Sequence, residues 1–407
     1  MAVPKLRFKD SRRQEFPEWE EKKLGDFTER IKRKAPENSI APVMMIAAES
    51  GFIYQKDRYS RENAGKSLTN YTLLKQEEFS YNHGYSKLRN YGSVFILKEP
   101  EARVPFVYHS FKLLSGVGDF WGYYLNSGLL DRTLKKTISS TARMDGLLNI
   151  SYEAYMDINV RVPSLPEQQK IADFLTTYDT MIDTQTKRVE AMKVRKKGLL
   201  QKIFSQEIRF KNDNGQNYPE WEKKTVGSLA NNIVGGGTPS TKNPAFYAGE
   251  IPWISSSDLV EDKINYLNIT RFITQDAINR SATKLIPAQS VMIVCRVGVG
   301  KVAVNELPLC TSQDFMNLIV KEENSPVFIG YLLMNLMVKR RNSVQGTAIK
   351  GIPSAEIKKF KVLVPALPEQ QKIADFLTTV DAQIDAEEKR LETMKTIKKG
   401  LLQQMFI

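Results

Sequence analysis

Catalysis usually calls on a few side-chain types, and this chain is short of several. Among 407 residues there are two histidines, His83 and His109, and two cysteines, Cys295 and Cys310. Their spacings are wide and unrelated, which does not fit a zinc site, and two histidines and two cysteines single out no Ser-His-Asp triad or Cys-His pair. No H-E-x-x-H occurs, and the 46 acidic residues offer many carboxylate pairs but none in a recognisable motif. Asn243-Pro244-Ala245-Phe246 comes close to the Asp/Asn-Pro-Pro-Tyr/Phe signature of amino-methyltransferases but lacks the second proline, and reads as a loop. The glycine-rich stretch 235–242, GGGTPSTK, does not have P-loop spacing. Residues 296–301, RVGVGK, lack both that spacing and the dinucleotide fingerprint. They join two strand-like runs, 291–295 and 302–304, and read as a hairpin tip flanked by Arg296 and Lys301. What remains is hydrogen bonding and positive charge. Residues 81–90, YNHGYSKLRN, hold a set able to bond base edges and phosphates. The same set also suits an ordinary solvated hairpin. Trp253 precedes three serines, 255–257, and reads as core, with the serines free to donate and accept. Segments 139–146 and 345–351 both carry Thr-Ala, followed by Arg143 or by Ile349-Lys350. The inventory favours binding over catalysis.

Charge distribution narrows the partner. Net charge is +13. Residues 1–163 carry 26 basic and 20 acidic side chains, and residues 207–364 carry 19 and 14. The excess sits mainly in these two segments, as expected if they touch a polyanion, although a merely basic soluble protein would look the same. No apolar run reaches the ~18 residues of a membrane span, and the first residues lack the apolar core of a signal peptide. The cysteines are expected as buried thiols of a cytoplasmic protein rather than a bridge.

The elements that position these segments are duplicated. Residues 165–204 return at 367–406, an offset of 202, with 28 of 40 positions identical and the first 13 unbroken. In the first copy Ile171, Leu175, Tyr178, Ile182, Val189, Met192, Leu199 and Ile203 alternate by four and three, with Gln185 and Lys196 completing the series. The second copy repeats this, with Glu387 and Lys398 at the equivalent polar places. A 3.5-residue period over 40 residues predicts a helix ~60 Å long whose stripe packs on the other copy, as a coiled coil. Packing of each helix on its own globular segment is the alternative. The polar residues in the seam could fix register. LRFK at 6–9 returns as IRFK at 208–211, and PEWE at 17–20 returns at 219–222, both at the same offset. Between these repeats, 28–159 and 228–361 look unrelated. Each half is thus one frame around a divergent insert. A pseudo-twofold relation would run the helices antiparallel and bring residue 407 near the first residues. Ser164 and Glu167 fit a capping box at the start of the first helix; Ala366 breaks it in the second.

The frame resembles that of the specificity subunits of type I restriction–modification enzymes. The resemblance rests on the doubled P-x-L-P-E-Q-Q-K-I-A-x-F-L-x-x-x-D-x-x-I-D from Pro163 and Pro365, the doubled P-E-W, and the GGTPS loop at 236–240 with IPWISSSDL at 251–259. It extends over nearly the full length, although the first insert lacks the GGTPS and IPW signatures. It implies an α+β chain in which two mixed α/β target recognition domains, 1–163 and 207–364, are separated by two long antiparallel coiled-coil helices, 164–206 and 365–407. Each domain would read half of a split double-stranded DNA site, and the helices would set the gap. Inserting one residue turns a helix end by ~100°, so the gap should follow spacer length. The chain itself would be non-catalytic and cofactor-free. S-adenosylmethionine would sit on two modification (methyltransferase) subunits, and ATP with Mg on the restriction subunits. The expected DNA-reading residues are Tyr81, Asn82, Ser86, Lys87, Arg89 and Arg143 in the first domain. In the second they are Thr238, Ser240, Lys242, Ser255, Ser256, Arg296, Lys301, Gln313 and Lys350. Identity around the whole circumference of P-E-Q-Q-K-I-A-D suggests a docking surface for one modification subunit per copy, through Glu167, Gln168, Lys170 and Asp173, and through Glu369, Gln370, Lys372 and Asp375. The rival readings are a structural adaptor with two protein-binding domains on a strut, and an enzyme using a carboxylate pair.

Overall fold

The computed structural model describes residues 4–48, 50–58, 68, 70–84, 86, 89–138, 148–343 and 351–406. It divides into two compact units, Met1–Thr186 with Arg390–Ile407, and Lys187–Lys389. The repeats form two 40-residue helices, Leu165–Phe204 and Leu367–Phe406. Each unit therefore holds the first part of one helix and the last part of the other. In the first unit Ile171 and Leu175 share a core with Met405 and Phe406, while Asp179 meets Lys398. In the second, Ile373 and Leu377 share a core with Leu200 and Ile203, Lys196 meets Asp381, and Arg188 meets Glu387. Numbers rise on one helix as they fall on the other, so the pair is antiparallel within each unit. Both sequence alternatives are realised. The ends of the stripe are buried in the globular cores, and Gln185, Val189, Ile384 and Leu391 in its middle are buried as well. Each fully buried leucine, such as Leu175 or Leu377, contributes ~2 kcal/mol.

Each helix start is held by the segment that opens its half. The fully buried Glu167 carboxylate accepts from Arg7 Nε at 3.0 Å, Arg7 Nη2 at 2.8 Å and Trp19 Nε1 at 3.0 Å. Glu369 is held by Arg209 at 2.9 and 3.1 Å and by Trp221 at 3.1 Å. Gln168 accepts from the Val117 N–H at 2.9 Å and donates to Pro163 O at 2.8 Å. Gln370 accepts from Ser325 N–H at 2.9 Å and donates to Pro365 O at 2.9 Å. Lys170 and Lys372 donate to the carbonyls of Lys9 and Lys211. Two expectations are corrected by these bonds. Glu167, Gln168, Glu369 and Gln370 are buried at 0–2% exposure, so they are not a surface for a partner; internal docking accounts for their duplication. The capping box at Ser164 does not form, because Arg7 and Trp19 take the Glu167 carboxylate and Ser164 Oγ makes no hydrogen bond. Residues 1–3 and 407, whose proximity is expected, lie outside the described residues; next to them Leu6 N–H donates to Gln404 O at 3.0 Å, as its counterpart Ile208 donates to Lys202 O at 3.1 Å.

The inserts share a topology that their sequences hide. In the first, Thr28–Arg30, His109–Leu113, Phe79–Asn82 and Ser93–Ile96 lie in that order in one antiparallel sheet. In the second, Ala230–Gly235, Phe315–Val320, Ser290–Val294 and Val302–Val304 do the same. The fourth strand in sequence lies between the first and second in both. A strand pair closes each unit beside the helix start, Glu20–Lys23 on Asn159–Val162 and Glu222–Thr225 on Lys361–Val364. Residues 105–108, whose β-branched and aromatic side chains suggest a strand, instead form a turn closed by Tyr108 N–H to Pro105 O, and the strand begins at His109.

Candidate nucleic-acid interface

In each unit, one end of the shared sheet leads to the helix anchor and the other carries the polar loops. In the second unit the anchor end lies at Ala230↔Val320. Val320 leads to Ser325, the partner of Gln370. At the opposite end lie Gly235↔Met316 and Val294↔Phe315. There the loops 236–242, 295–301 and 311–314 come together with 255–258 and 281–284. A Cβ on Gly236 would fall 2.0 Å from Ser312 O, and one on Gly237 would fall 2.4 Å from the Ala282 backbone, so only glycine fits this approach. Gly237 N–H donates to Thr311 O at 2.8 Å, and the Trp253 indole donates to Gly237 O at 2.9 Å. The glycine-rich loop is thus pinned into the unit, and its exposed residues are Thr238, Ser240, Thr241 and Lys242.

The rim of this end is polar and mutually ordered. Thr238 Oγ1 donates to Gln313, both exposed. Arg271 lies 4.6 Å over the Trp253 ring, donates to Ser255 Oγ at 2.7 Å, and pairs with Asp258. Ser255 and Ser257 hydroxyls are 2.9 Å apart. Arg296 is 62% exposed, 3.8 Å from Asp314. The expected readers Thr238, Ser240, Lys242, Ser255, Arg296 and Gln313 thus share one end of the sheet. Two others do not face outward. Ser256 is buried, and Lys301 donates to the carbonyls of Ser256 at 3.2 Å and Leu259 at 2.8 Å, so its ammonium closes a turn. Lys350 lies outside the described residues.

The first unit presents the equivalent hairpin, with residues 83–92 between Asn82 and Ser93. Tyr81 is 1% exposed, stacked on Tyr155 at 4.2 Å, with its hydroxyl on Tyr91 O. It is core, because the strand register turns it inward. Burial pushes its hydroxyl pKa well above the ordinary value. Asn82 is half-buried and spans Ile46 O and Gly84 N–H. Ser86 Oγ accepts from Arg89 N–H at 3.0 Å, and Arg89 Nη1 donates to Asn126 O at 2.7 Å. Lys87 and Arg143 lie outside the described residues. Leu148 and Ile352, which follow the two Thr-Ala segments, donate their N–H to His83 O and Cys295 O at 2.9 and 2.8 Å. Each Thr-Ala segment is therefore followed by a residue bonded to its own unit's hairpin. Sequence reasoning missed Arg271, which no motif marks. It also missed Tyr123 and Tyr331, for which a signal did exist in a short shared pattern, F-x-G-Y-x-L, at 120–125 and 328–333. Among the described residues no His, Cys, Asp and Glu cluster could hold a metal, and no helix is long and apolar enough to cross a membrane.

Comparison with known proteins agrees with this architecture. A relative from Methanocaldococcus jannaschii, the type I restriction enzyme MjaIX specificity subunit, is 29% identical over 208 residues, covering 50% of this chain and 48% of that protein. The chain thus aligns with about half the length of that relative. The type I restriction enzyme MjaVIII specificity subunit of the same organism is 24% identical over 420 residues, covering 97% of this chain and 94% of that one. A solved chain of a type I R-M system superposes with a TM-score of 0.60 at 15% identity, covering 96% of this chain and 98% of that one, and so shares the fold. The family described as type I restriction modification DNA specificity domain matches twice, at residues 17–193 and 218–396, and the chain belongs to that family.

Proposed function

We propose that this chain is the sequence-reading, non-catalytic subunit of a type I restriction–modification complex. Each globular domain, 1–163 and 207–364, reads one half of a split double-stranded DNA site. The helices, 164–206 and 365–407, act as the ruler between the halves. The observation that carries this reading is one antiparallel sheet, present in both units on a duplicated frame, with different polar loops at the end away from the anchor. A common scaffold with two divergent loop sets suits two half-sites. Base edges would be met by Thr238, Gln313, Ser255 and Arg296 in the second domain and by the hairpin around Asn82, Ser86 and Arg89 in the first, with Lys242 on phosphate. Two modification subunits would bring S-adenosylmethionine, and restriction subunits would bring ATP and Mg, in the cytoplasm. One modification subunit per helix copy would dock beside the exposed Asp173 and Asp375, with Lys170 and Lys372 at the margin.

The test is methylation-sensitive sequencing of DNA from cells making the chain with its modification partner. Replacing residues 228–361 by the corresponding segment of a relative should change one half of the recovered motif and leave the other half intact. A change in both halves, or a motif with no gap, overturns the reading. Charge reversal at Asp173 and Asp375 with undiminished assembly removes the docking assignment alone.

A further inference from the structure

The pattern F-x-G-Y-x-L lies in each unit on the helix that follows the sheet, Gly118–Leu125 or Pro326–Ser343. Its phenylalanine meets the end of one long helix: Phe120 lies 5.8 Å from Phe406, and Phe328 lies 5.8 Å from Phe204. Its tyrosine meets the other long helix. Tyr123 donates to Asp179 Oδ2 at 2.7 Å, and Tyr331 donates to Asp381 Oδ2 at 2.6 Å. The second oxygen of each carboxylate takes a lysine from the opposite long helix, Lys398 on Asp179 and Lys196 on Asp381, both at 2.5 Å. The lysine ammonium also lies 5.3 Å from the Tyr123 ring centre and 5.7 Å from that of Tyr331. Asp179 and Asp381, and Lys196 and Lys398, stand at the 202-residue repeat offset, whereas the tyrosines are 208 apart. Divergent inserts have thus kept the one hydroxyl that the duplicated ion pair accepts.

Three elements converge on each carboxylate: a globular domain and both long helices. An Asp bonded through both oxygens has a fixed plane, and bonds to charged groups are short and directional. A seam ion pair also fixes helix register. We infer that Tyr123 and Tyr331 are positioning residues that set the rotational phase of each domain on the helix pair, and hence the number of base pairs between the half-sites. This rests on the bipartite DNA-reading function proposed above. One base pair is about a tenth of a turn of the duplex, so a modest swing of a domain presents the neighbouring step. The second clamp is the more enclosed. Lys196 and Asp381 side chains are 7% and 13% exposed, against 24% and 38% for Lys398 and Asp179, and Lys196 also donates to Asp262 O at 2.5 Å.

The experiment uses the full chain with its modification partner and reads methylated motifs by sequencing, for the unaltered chain, Tyr331→Phe, Tyr123→Phe and Asp381→Asn. The half-site sequences should persist in every variant. Methylation at sites whose gap is one base pair longer or shorter should rise about tenfold, the scale of one hydrogen bond to a charged group, and more for Tyr331→Phe than for Tyr123→Phe. A purely structural role would lower methylation at all sites alike, without moving the gap. If Tyr331→Phe unfolds the chain, Asp381→Asn, which keeps the side-chain shape, decides the matter. A single unchanged gap in every folded variant overturns the inference. Absence of any split motif with the unaltered chain overturns the DNA-reading function instead.

Discussion

The two halves differ most where they are built on the same backbone. Both place a hairpin at the same end of the same sheet, and in both the first hairpin residue accepts a backbone bond from a residue one or two places beyond the Thr-Ala segment. In the first half that residue is His83, whose ring stacks 4.6 Å from His109, with ring nitrogens 2.9 Å from Leu148 O and Val107 O. In the second it is Cys295, a buried free thiol, followed by the glycine-rich tip. The opposite end of each unit shows no such freedom. There Arg7 and Arg209, Trp19 and Trp221, and Gln168 and Gln370 make nearly superimposable bonds. The sequence is held fixed where the sheet meets the long helices and released where the loops emerge. That is the pattern expected if docking is shared and target reading is not.

The strongest way to break the comparison is at the anchor. Glu167→Ala and Glu369→Ala each leave a largely buried arginine without its carboxylate. Each should cost ~3–5 kcal/mol in urea unfolding. The two losses should agree within about 1 kcal/mol, given that independent effects of this kind vary by a few tenths; a clearly smaller loss at one site would end the equivalence of the two frames. Next come the seam lysines, where the halves should diverge. Lys196→Met strips a charge from the enclosed Asp381 and should cost ~3 kcal/mol. Lys398→Met leaves the more open Asp179 and should cost ~1 kcal/mol, solvent taking over part of the role. Equal costs would show that the difference in enclosure has no energetic consequence.

The long helices were legible almost to the residue, because a 3.5-residue period sustained over 40 positions and a fixed 202-residue offset leave little choice. The hairpin strands Ser290–Val294 and Val302–Val304 were visible as short β-branched runs. The common sheet was not. Strands of three to six residues constrain only their inward positions, and loops of different length shift the offset from 202 to 208. At the loops, polar composition pointed to Thr238, Gln313 and Arg296, which do stand together. It could not say that Tyr81 and Ser256 turn inward, since facing is set by register and turn geometry. The duplicated P-E-Q looked like an outer surface because identity alone does not reveal which side of a helix the rest of the chain covers.

Acid should separate the halves by a smaller margin. Both histidines are in the first. Burial pushes His109 down to about 4, against a weaker upward pull from the Ile150 carbonyl; His83 and Arg30 add to the depression and Glu153 opposes it. A depressed folded-state value means stability that is complete above the ordinary value of 6.5 and is lost as pH falls through about 4. The first unit should lose on the order of 2 kcal/mol by about pH 5, and the second should lose nothing from this source. Hydrogen exchange at neutral and acid pH reads the units separately. His109→Gln should flatten the response of the first unit, and an unchanged acid response would move its origin elsewhere.

The smallest expected effect separates loop from frame inside one domain. Lys242 is exposed on the pinned glycine-rich loop, whereas Lys301, only 59 residues on, spends its ammonium on the carbonyls of Ser256 and Leu259. Both are single positive charges near the same loops, so charge counting treats them alike. A lysine on phosphate displaces one counterion, so Lys242→Ala should flatten the slope of log affinity against log salt by about 0.9. It should weaken binding to all duplex sequences alike and leave the unfolding midpoint unmoved. Lys301→Met should do the reverse. It leaves two carbonyls without a donor, costing ~1–2 kcal/mol of stability, while the salt slope stays the same. Titration of the assembled complex with duplex DNA over a range of salt, beside urea unfolding of the same variants, distinguishes the two lysines. A flattened slope for Lys301→Met would mean that its ammonium leaves the turn to meet phosphate.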